Sequence, residues 1–158
     1  MATRLGLDEL APFAVRISPS PAELGKALEE HNRRAGTLLQ LRFGDQVAGF
    51  VVEDLWSACC ELILNAQLVR EGRLDHFVLD VEQIFDLSYE DDLLLCIFSR
   101  EHVFAVRRDE FATALEHLVG EIFAATSCPR LMEIAARWGA ASIRGLPYSI
   151  RFTDSALT

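Results

Sequence analysis

Histidines, which often carry catalysis or bind metals, are scattered along this 158-residue sequence. His117 and Glu121 are four residues apart and therefore share one face of a predicted helix, but a zinc site needs one or two further ligands. The other histidines are His31, His76 and His102, and no two histidines share a helical turn. The histidine pattern therefore predicts no metal site.

The four cysteines indicate buried thiols. No C-x-x-C spacing occurs, and the adjacent Cys59 and Cys60 would point about 100° apart on a helix, which disfavours a bond between them. Cys59, Cys60 and Cys96 lie in apolar runs, where burial raises the pKa of a thiol. With Cys128 they are expected to be reduced, as in the cytoplasm, and a redox pair or a metal site is the alternative.

Other signatures of enzymes are missing from the sequence. There is no G-x-S-x-G motif, and the segment nearest to a phosphate-binding loop, Arg144-Gly145-Leu146-Pro147, lacks the lysine and the second glycine. We therefore predict a protein without enzymatic activity and without a cofactor. The alternative is a small enzyme or ligand-binding domain with a polar pocket, lined by residues such as Glu61, Asn65 and His117.

Carboxylates are the most informative group. The chain has a formal net charge of -9, and residues 54–95 hold ten carboxylates against only two arginines, Arg70 and Arg73. An acidic chain cannot neutralise phosphates, so we expect no binding to nucleic acid or to an anionic membrane. The segment DVEQIFDLSYEDD, residues 80–92, alone holds six carboxylates.

Alternation within this segment predicts a strand with two unlike faces. From Phe77 to Tyr89 the odd positions are mainly apolar, and the even positions include several carboxylates. A bulge between Val81 and Phe85 would interrupt the alternation. Phe85 and Tyr89 could add an aromatic anchor, so we expect an acidic surface that docks on a basic protein, although it could equally be an ordinary solvated face. The residues predicted to bind the partner are Asp80, Glu82, Asp86, Tyr89, Glu90, Asp91 and Asp92.

The elements that must position these residues predict an α+β fold, a mainly antiparallel sheet packed against three to four helices. Ser20, Pro21 and Glu23 predict the start of a helix that continues to about Arg34, and Asp109 is expected to cap a later helix. The other predicted elements are a strand over 13–17, a hairpin over 37–43 and 46–52, a helix over 53–70, three or four strands from 75 to 107, and a short helix around 131–138.

Length and composition indicate one domain over residues 1–158, with residues 1–10 and 153–158 expected to fray. About half of the residues are hydrophobic, but no apolar stretch approaches the roughly 20 residues that cross a bilayer. Asp8 and Glu9 lie where a signal peptide would need its apolar core, so we expect a cytoplasmic protein. The high apolar fraction makes a homodimer possible.

The layout resembles that of bacterial immunity proteins, which protect cells from polymorphic or contact-dependent-inhibition toxins. The segments that carry the resemblance are TLLQLRFGDQVAGFVVEDLWSACCELIL, DHFVLDV to HVFAVRR, and CPRLMEIAARW. It implies a cytoplasmic inhibitor that plugs the active site of a cationic toxin, and it assigns no functional residue. The alternative is an acidic adaptor or chaperone-like protein that could form a dimer, in which Trp56 and Trp138 would matter more than the carboxylates.

Overall fold

The computed structural model describes residues 10–30, 36–79, 82–98 and 102–126, and these residues form seven strands and three helices. The strands are β1 (Phe13–Ser18), β2 (Thr37–Phe43), β3 (Gln46–Val52), β4 (His76–Leu79), β5 (Glu82–Glu90), β6 (Leu93–Phe98) and β7 (His102–Arg107). The helices are α1 (Pro21–Glu29), α2 (Leu55–Arg70) and α3 (Arg108–Ala124). The predicted short helix around 131–138 and the expected fraying of residues 1–9 and 153–158 lie outside the described residues.

The strands form two antiparallel sheets, one in the order β1-β2-β3 and the other in the order β4-β5-β6-β7. This arrangement confirms the predicted α+β class. The β2–β3 hairpin has the predicted bounds, because Gly44 adopts a positive φ of 64° at the turn, which glycine tolerates without strain.

The segment that begins at Phe77 is not the single strand expected from its alternation. β4 ends at Leu79 and β5 begins at Glu82, and the two strands pair antiparallel with Phe77 opposite Phe85. The register shifts between Phe77 and Val78. Alternation alone cannot reveal a tight hairpin, because both arms continue the apolar and polar order that one strand would show.

Helix α1 begins as predicted and ends earlier. The Ser20 hydroxyl accepts a hydrogen bond from the Glu23 backbone N–H at 3.4 Å, and Pro21 occupies the first turn. The helix ends at Glu29, so the predicted end near Arg34 is wrong. Every residue of 29–34 is polar, so no apolar side chain anchors a further turn to the core.

Close packing of α1 on α3 depends on Gly25. A Cβ at this position would overlap the carbonyl oxygen of Ile122 and the Cβ of Ala125. Only a glycine therefore lets the two helix backbones approach to this distance.

Helix α3 follows β7 without a loop. Arg107 stands at its N-cap and makes no capping hydrogen bond through its side chain, so the expectation that Asp109 caps the helix is wrong. Asp109 lies in the first turn, where its negative charge still interacts favourably with the helix dipole. The apolar stripe of the helix, at Phe111, Leu115, Leu118 and Ile122, is buried.

A cluster of phenylalanine rings joins the two sheets to α3. Phe111 of α3 lies 4.6 Å from the Phe13 ring in the first sheet and 5.8 Å from the Phe77 ring in the second. Phe77 and Phe85 stack across the β4–β5 hairpin with centroids 4.9 Å apart. The complete cluster comprises Phe13, Phe43, Phe77, Phe85, Phe98, Phe104 and Phe111. Within the described ranges, no helix is long and apolar enough to span a membrane.

Candidate functional site

Strand β5 presents two different faces, and the alternation from Phe85 onward follows the prediction. Asp86, Ser88 and Glu90 are exposed, whereas Phe85 and Leu87 are buried. The division into an exposed and a buried face extends to β6. Asp86 and Glu90 each have a cross-strand partner on β6, and the two members of such a pair share one face of the sheet. The carboxylates and the core residues of β5 therefore point in opposite directions.

Asp86 belongs to a small polar network on the sheet surface. Its Oδ1 atom lies 2.8 Å from Nδ1 of His76 and accepts a hydrogen bond of 2.6 Å from the Gln83 side-chain amide. His76 is directly opposite Asp86 on β4. The Asp86 side chain remains 53% exposed, so the network orients the carboxylate without removing it from solvent.

The β5–β6 turn carries the next carboxylates. Asp91 adopts a φ of 55°, in the left-handed region that aspartate tolerates better than most residues. The Asp92 carbonyl accepts a hydrogen bond of 2.9 Å from the Arg108 backbone N–H, and its carboxylate lies 3.4 Å from the Arg107 guanidinium. The Asp92 side chain is still 71% exposed. We call Asp86, Glu90, Asp91 and Asp92 together the acidic patch.

Arginines near the patch were not expected from the sequence around it. Arg107 and Arg108 come from the β7–α3 junction, fifteen or more residues away along the chain. Only the antiparallel order of β5, β6 and β7 brings them next to the β5–β6 turn. Local charge counting could not find them, because the contact depends on strand pairing.

Of the two residues of the predicted aromatic anchor, Phe85 is buried and Tyr89 is half-buried. Phe85 is only 3% exposed and belongs to the phenylalanine cluster, so it cannot contact a partner. Tyr89 occupies an odd position and packs against the hydrophobic core. Its hydroxyl donates to the Leu74 carbonyl at 2.7 Å and accepts from the Leu74 N–H at 3.2 Å. Burial raises the pKa of Tyr89 to about 12, with the hydrogen bond to Leu74 opposing the shift and the charge of Asp75 adding to it.

For two further predicted contact residues, the structure describes little or nothing. Asp80 lies outside them. Glu82 begins β5 opposite Leu79, but its side chain is outside the description.

An apolar row lies directly beside the acidic patch. Leu93, Leu95 and Ile97 of β6 are the cross-strand partners of Glu90, Ser88 and Asp86, and therefore share the outward face. All three are half-buried and lie outside the main hydrophobic core. The sequence LLLCIF gave no sign of this division, because both faces of the strand are apolar.

The alternative polar pocket is not assembled as expected. Asn65 is buried, and its side-chain amide donates a hydrogen bond of 2.9 Å to the Val78 carbonyl, which attaches α2 to β4. His117 instead lines a groove beside β1, and that groove includes neither Glu61 nor Asn65. His117 Nδ1 lies 3.1 Å from the Glu121 carboxylate on the exposed face of α3.

Two of the three described cysteines are buried, as predicted. Cys59 and Cys96 are buried free thiols, and desolvation raises the pKa of Cys59 to about 12 and that of Cys96 well above its usual value. Cys60, which is not in a disulfide, is half-buried, and Cys128 lies outside the described residues. In the described part of the chain, no group of three or more histidine, cysteine or carboxylate side chains is placed to hold a metal ion.

Trp56 does not supply the exposed apolar surface required by the adaptor alternative. It is 5% exposed and packs edge-on against Phe123, with ring centroids 5.8 Å apart. Trp138 lies outside the described residues. Among the residues that the structure describes, the most exposed large hydrophobic side chains are Val51 (57%) and Val47 (47%), both on β3.

Comparison of the chain with protein-family models, with curated proteins and with solved structures gave no significant match.

Proposed function

We propose that this chain is a non-enzymatic, cytoplasmic protein-binding domain of the immunity type, which docks on a basic partner through the acidic patch. The observation that carries the proposal is the position of Asp86 and Glu90, which point to solvent from a strand whose other face forms the core. A carboxylate that contributes little to the fold remains available for a partner.

Charge and apolar surface lie side by side on this face. The half-buried Leu93, Leu95 and Ile97 run parallel to the carboxylates of β5. Protein interfaces commonly combine an apolar centre with a polar rim, and charged rims raise the association rate. A basic protein with an apolar patch beside its cationic site would match both rows, and a nuclease toxin has such a cationic site because it binds phosphate.

The test is affinity capture from the native host with three versions of the chain as bait: wild type, the double variant Asp86→Lys/Glu90→Lys, and the control Glu30→Lys. Glu30 is exposed at the C-terminal cap of α1, so its replacement changes charge away from β5. Electrostatic steering changes association rates by roughly 10 to 10³-fold. We expect a basic protein that is captured at low salt, is lost with the double variant, and is retained by the control.

The immunity role requires a second readout. Expression of the captured protein alone should be toxic, and co-expression of this chain should relieve the toxicity, with the double variant relieving it less. A captured protein that binds the double variant as well as the wild type would contradict docking through the acidic patch. A captured protein without toxicity would exclude the immunity role and leave the docking surface in place.

A further inference from the structure

A groove of about 590 Å³ runs between the edge strand β1 and one face of α3. It lies on a different part of the chain from the acidic patch. Its strand side is formed by residues 13–15, and its helix side by residues at successive turns of α3. The lining residues are Phe13, Ala14, Val15, Asp109, Glu110, Thr113, Ala114, His117, Leu118 and Glu121.

At the edge of β1 beside this groove, backbone N–H and C=O groups of alternate residues point away from β2. The Gly44 N–H donates a hydrogen bond to the Pro12 carbonyl at 2.8 Å, so the backbone carbonyl of Pro12 faces β2. Because the hydrogen-bonding direction alternates along an antiparallel pair, Phe13, Val15 and Ile17 direct their N–H and C=O groups away from β2.

One member of this outward row already pairs with a strand. The Ala11 N–H donates to the Ala105 carbonyl of β7 at 2.9 Å. Beyond Ala11 the row continues along β1, where β2 is the sole strand neighbour among the residues that the structure describes. The geometry is therefore suited to accept a further strand over Phe13–Ile17.

The helix side of the groove is acidic. Asp109, Glu110 and Glu121 line it, and among the lining residues that the structure describes there is no lysine or arginine. Each carboxylate has one cationic or imidazole neighbour: Arg70 at 3.6 Å, Arg107 at 3.8 Å and His117 at 3.1 Å, respectively. The Asp109 and Glu110 side chains remain 85% and 66% exposed, so they are accessible to a further cation.

The two sides of the groove differ in length. The helix rises 1.5 Å per residue, so Asp109 to Glu121 spans roughly 18 Å. A strand rises about 3.4 Å per residue, so residues 13–15 line roughly 7–10 Å of the groove, and the whole of β1, Phe13–Ser18, spans roughly 17 Å. An extended peptide of about six residues would therefore lie in the groove beside residues 13–15 and follow the edge of β1 beyond it.

We propose that this groove binds an extended basic segment of a partner protein, which adds to the edge of β1 as a strand and places lysine or arginine side chains against Asp109, Glu110 and Glu121. In this mode of recognition, backbone hydrogen bonds supply affinity and the side-chain contacts supply specificity. The proposal goes beyond the proposed function, because it depends neither on the carboxylates of β5 nor on the immunity role.

The test uses a blocked hexapeptide of alternating lysine and valine, with its binding to the full chain measured by calorimetry. Two further versions carry N-methyl groups on alternate backbone amides, in opposite phases. Only one phase removes the donors that face β1. We expect one methylated peptide to bind as the parent does and the other to lose binding by about tenfold or more. An alternating glutamate and valine peptide should not bind.

A substitution in β1 tests the outward backbone groups of the protein, whereas the methylated peptides test the backbone groups of the ligand. Val15→Pro removes an outward N–H without removing a β1–β2 hydrogen bond, and Val15→Ala, which keeps the N–H, is the matched control. We expect the proline variant to weaken binding of the parent peptide about tenfold relative to the alanine variant, and Glu121→Lys to weaken it as well. Thermal melting of each variant establishes that it is folded.

Several results would overturn the proposal. Equal binding of both methylated peptides, or equal binding by the Val15→Pro and Val15→Ala variants, would show that charge alone attracts the peptide. A wild-type dimer that becomes a monomer with Val15→Pro, without peptide binding, would assign the edge to a second copy of the chain. The Asp86→Lys/Glu90→Lys variant should bind the peptide normally, so failure of this site and failure of the acidic patch are distinguishable.

Discussion

The two faces of β5 differ in what their side chains contact. On the inner face, Phe85 and Leu87 are nearly inaccessible and pack in the hydrophobic core. On the outer face, Asp86 and Glu90 are exposed. The odd-numbered positions of β5 therefore support the stability of the fold, and the even-numbered positions carry the surface charge. A substitution on one face should change one of these properties and leave the other unchanged.

The largest expected effect comes from the inner face, with Phe85→Ala. The Phe85 ring lies 4.9 Å from Phe77 and 4.7 Å from Phe98, so its removal leaves a cavity between the β4–β5 hairpin and β6. Such truncations cost about 3–5 kcal/mol. Chemical denaturation should show a loss of this size in the free energy of unfolding.

The matched control for this prediction is Val51→Ala on β3, where the side chain is 57% exposed. Substitutions at exposed positions usually change the free energy of unfolding by no more than about 0.5 kcal/mol. If Phe85→Ala and Val51→Ala cost the same, the inner face of β5 would not be the part that supports the fold.

Local sequence signals predicted the elements of this fold well. The β2–β3 hairpin has the predicted bounds, the apolar run Leu93–Phe98 forms β6 among the strands expected from 75 to 107, and α2 ends at Arg70 as expected. Each of these has its own signal: a glycine turn, an apolar run, or helical periodicity that stops before Gly72, whose φ is 67°. The prediction that Asp86 and Glu90 share the outer face of their strand was also correct, because it too rested on a local signal, the alternation of polar and apolar residues.

Contacts that depend on how strands pair could not be predicted. Phe77 and Phe85 belong to two strands, because the chain reverses between Leu79 and Glu82 without a glycine or proline to mark the turn. Likewise, Arg107 reaches Asp92 only through the pairing of β6 with β7. The groove beside β1 also escaped detection, since it joins elements that lie about 100 residues apart in the sequence.

A smaller effect is expected from Tyr89→Phe, which lies on the inner side but loses only a hydroxyl. That hydroxyl both donates to and accepts from the backbone of Leu74. Removing it leaves a part-buried N–H and C=O without this partner, which costs about 1–2 kcal/mol. Thermal denaturation at neutral pH measures the loss, and an unchanged stability would show that water replaces the hydroxyl.

Alkaline pH provides a control for this prediction. The pKa of Tyr89 is about 12 in the folded chain and lies near 10 in an unfolded one, so the folded state holds the proton more tightly. The stabilisation is complete below pH 10 and is lost as the pH rises towards 12. The stability advantage of the wild type over Tyr89→Phe should therefore shrink over this range. A constant difference would contradict the assignment.

The smallest effect on stability is expected from the outer face, with the double variant Asp86→Asn/Glu90→Gln. The paired His76 and Asp86 side chains are 57% and 53% exposed, and even a fully charged pair in this setting contributes about 0–1 kcal/mol. We expect the free energy of unfolding to change by less than about 0.5 kcal/mol, measured by denaturation at low salt. Association with a basic partner should nevertheless slow, since two charges that steer the encounter are removed. A loss of stability well above 1 kcal/mol would show that the outer face also supports the fold, and reduced binding by charge variants could then no longer be assigned to docking.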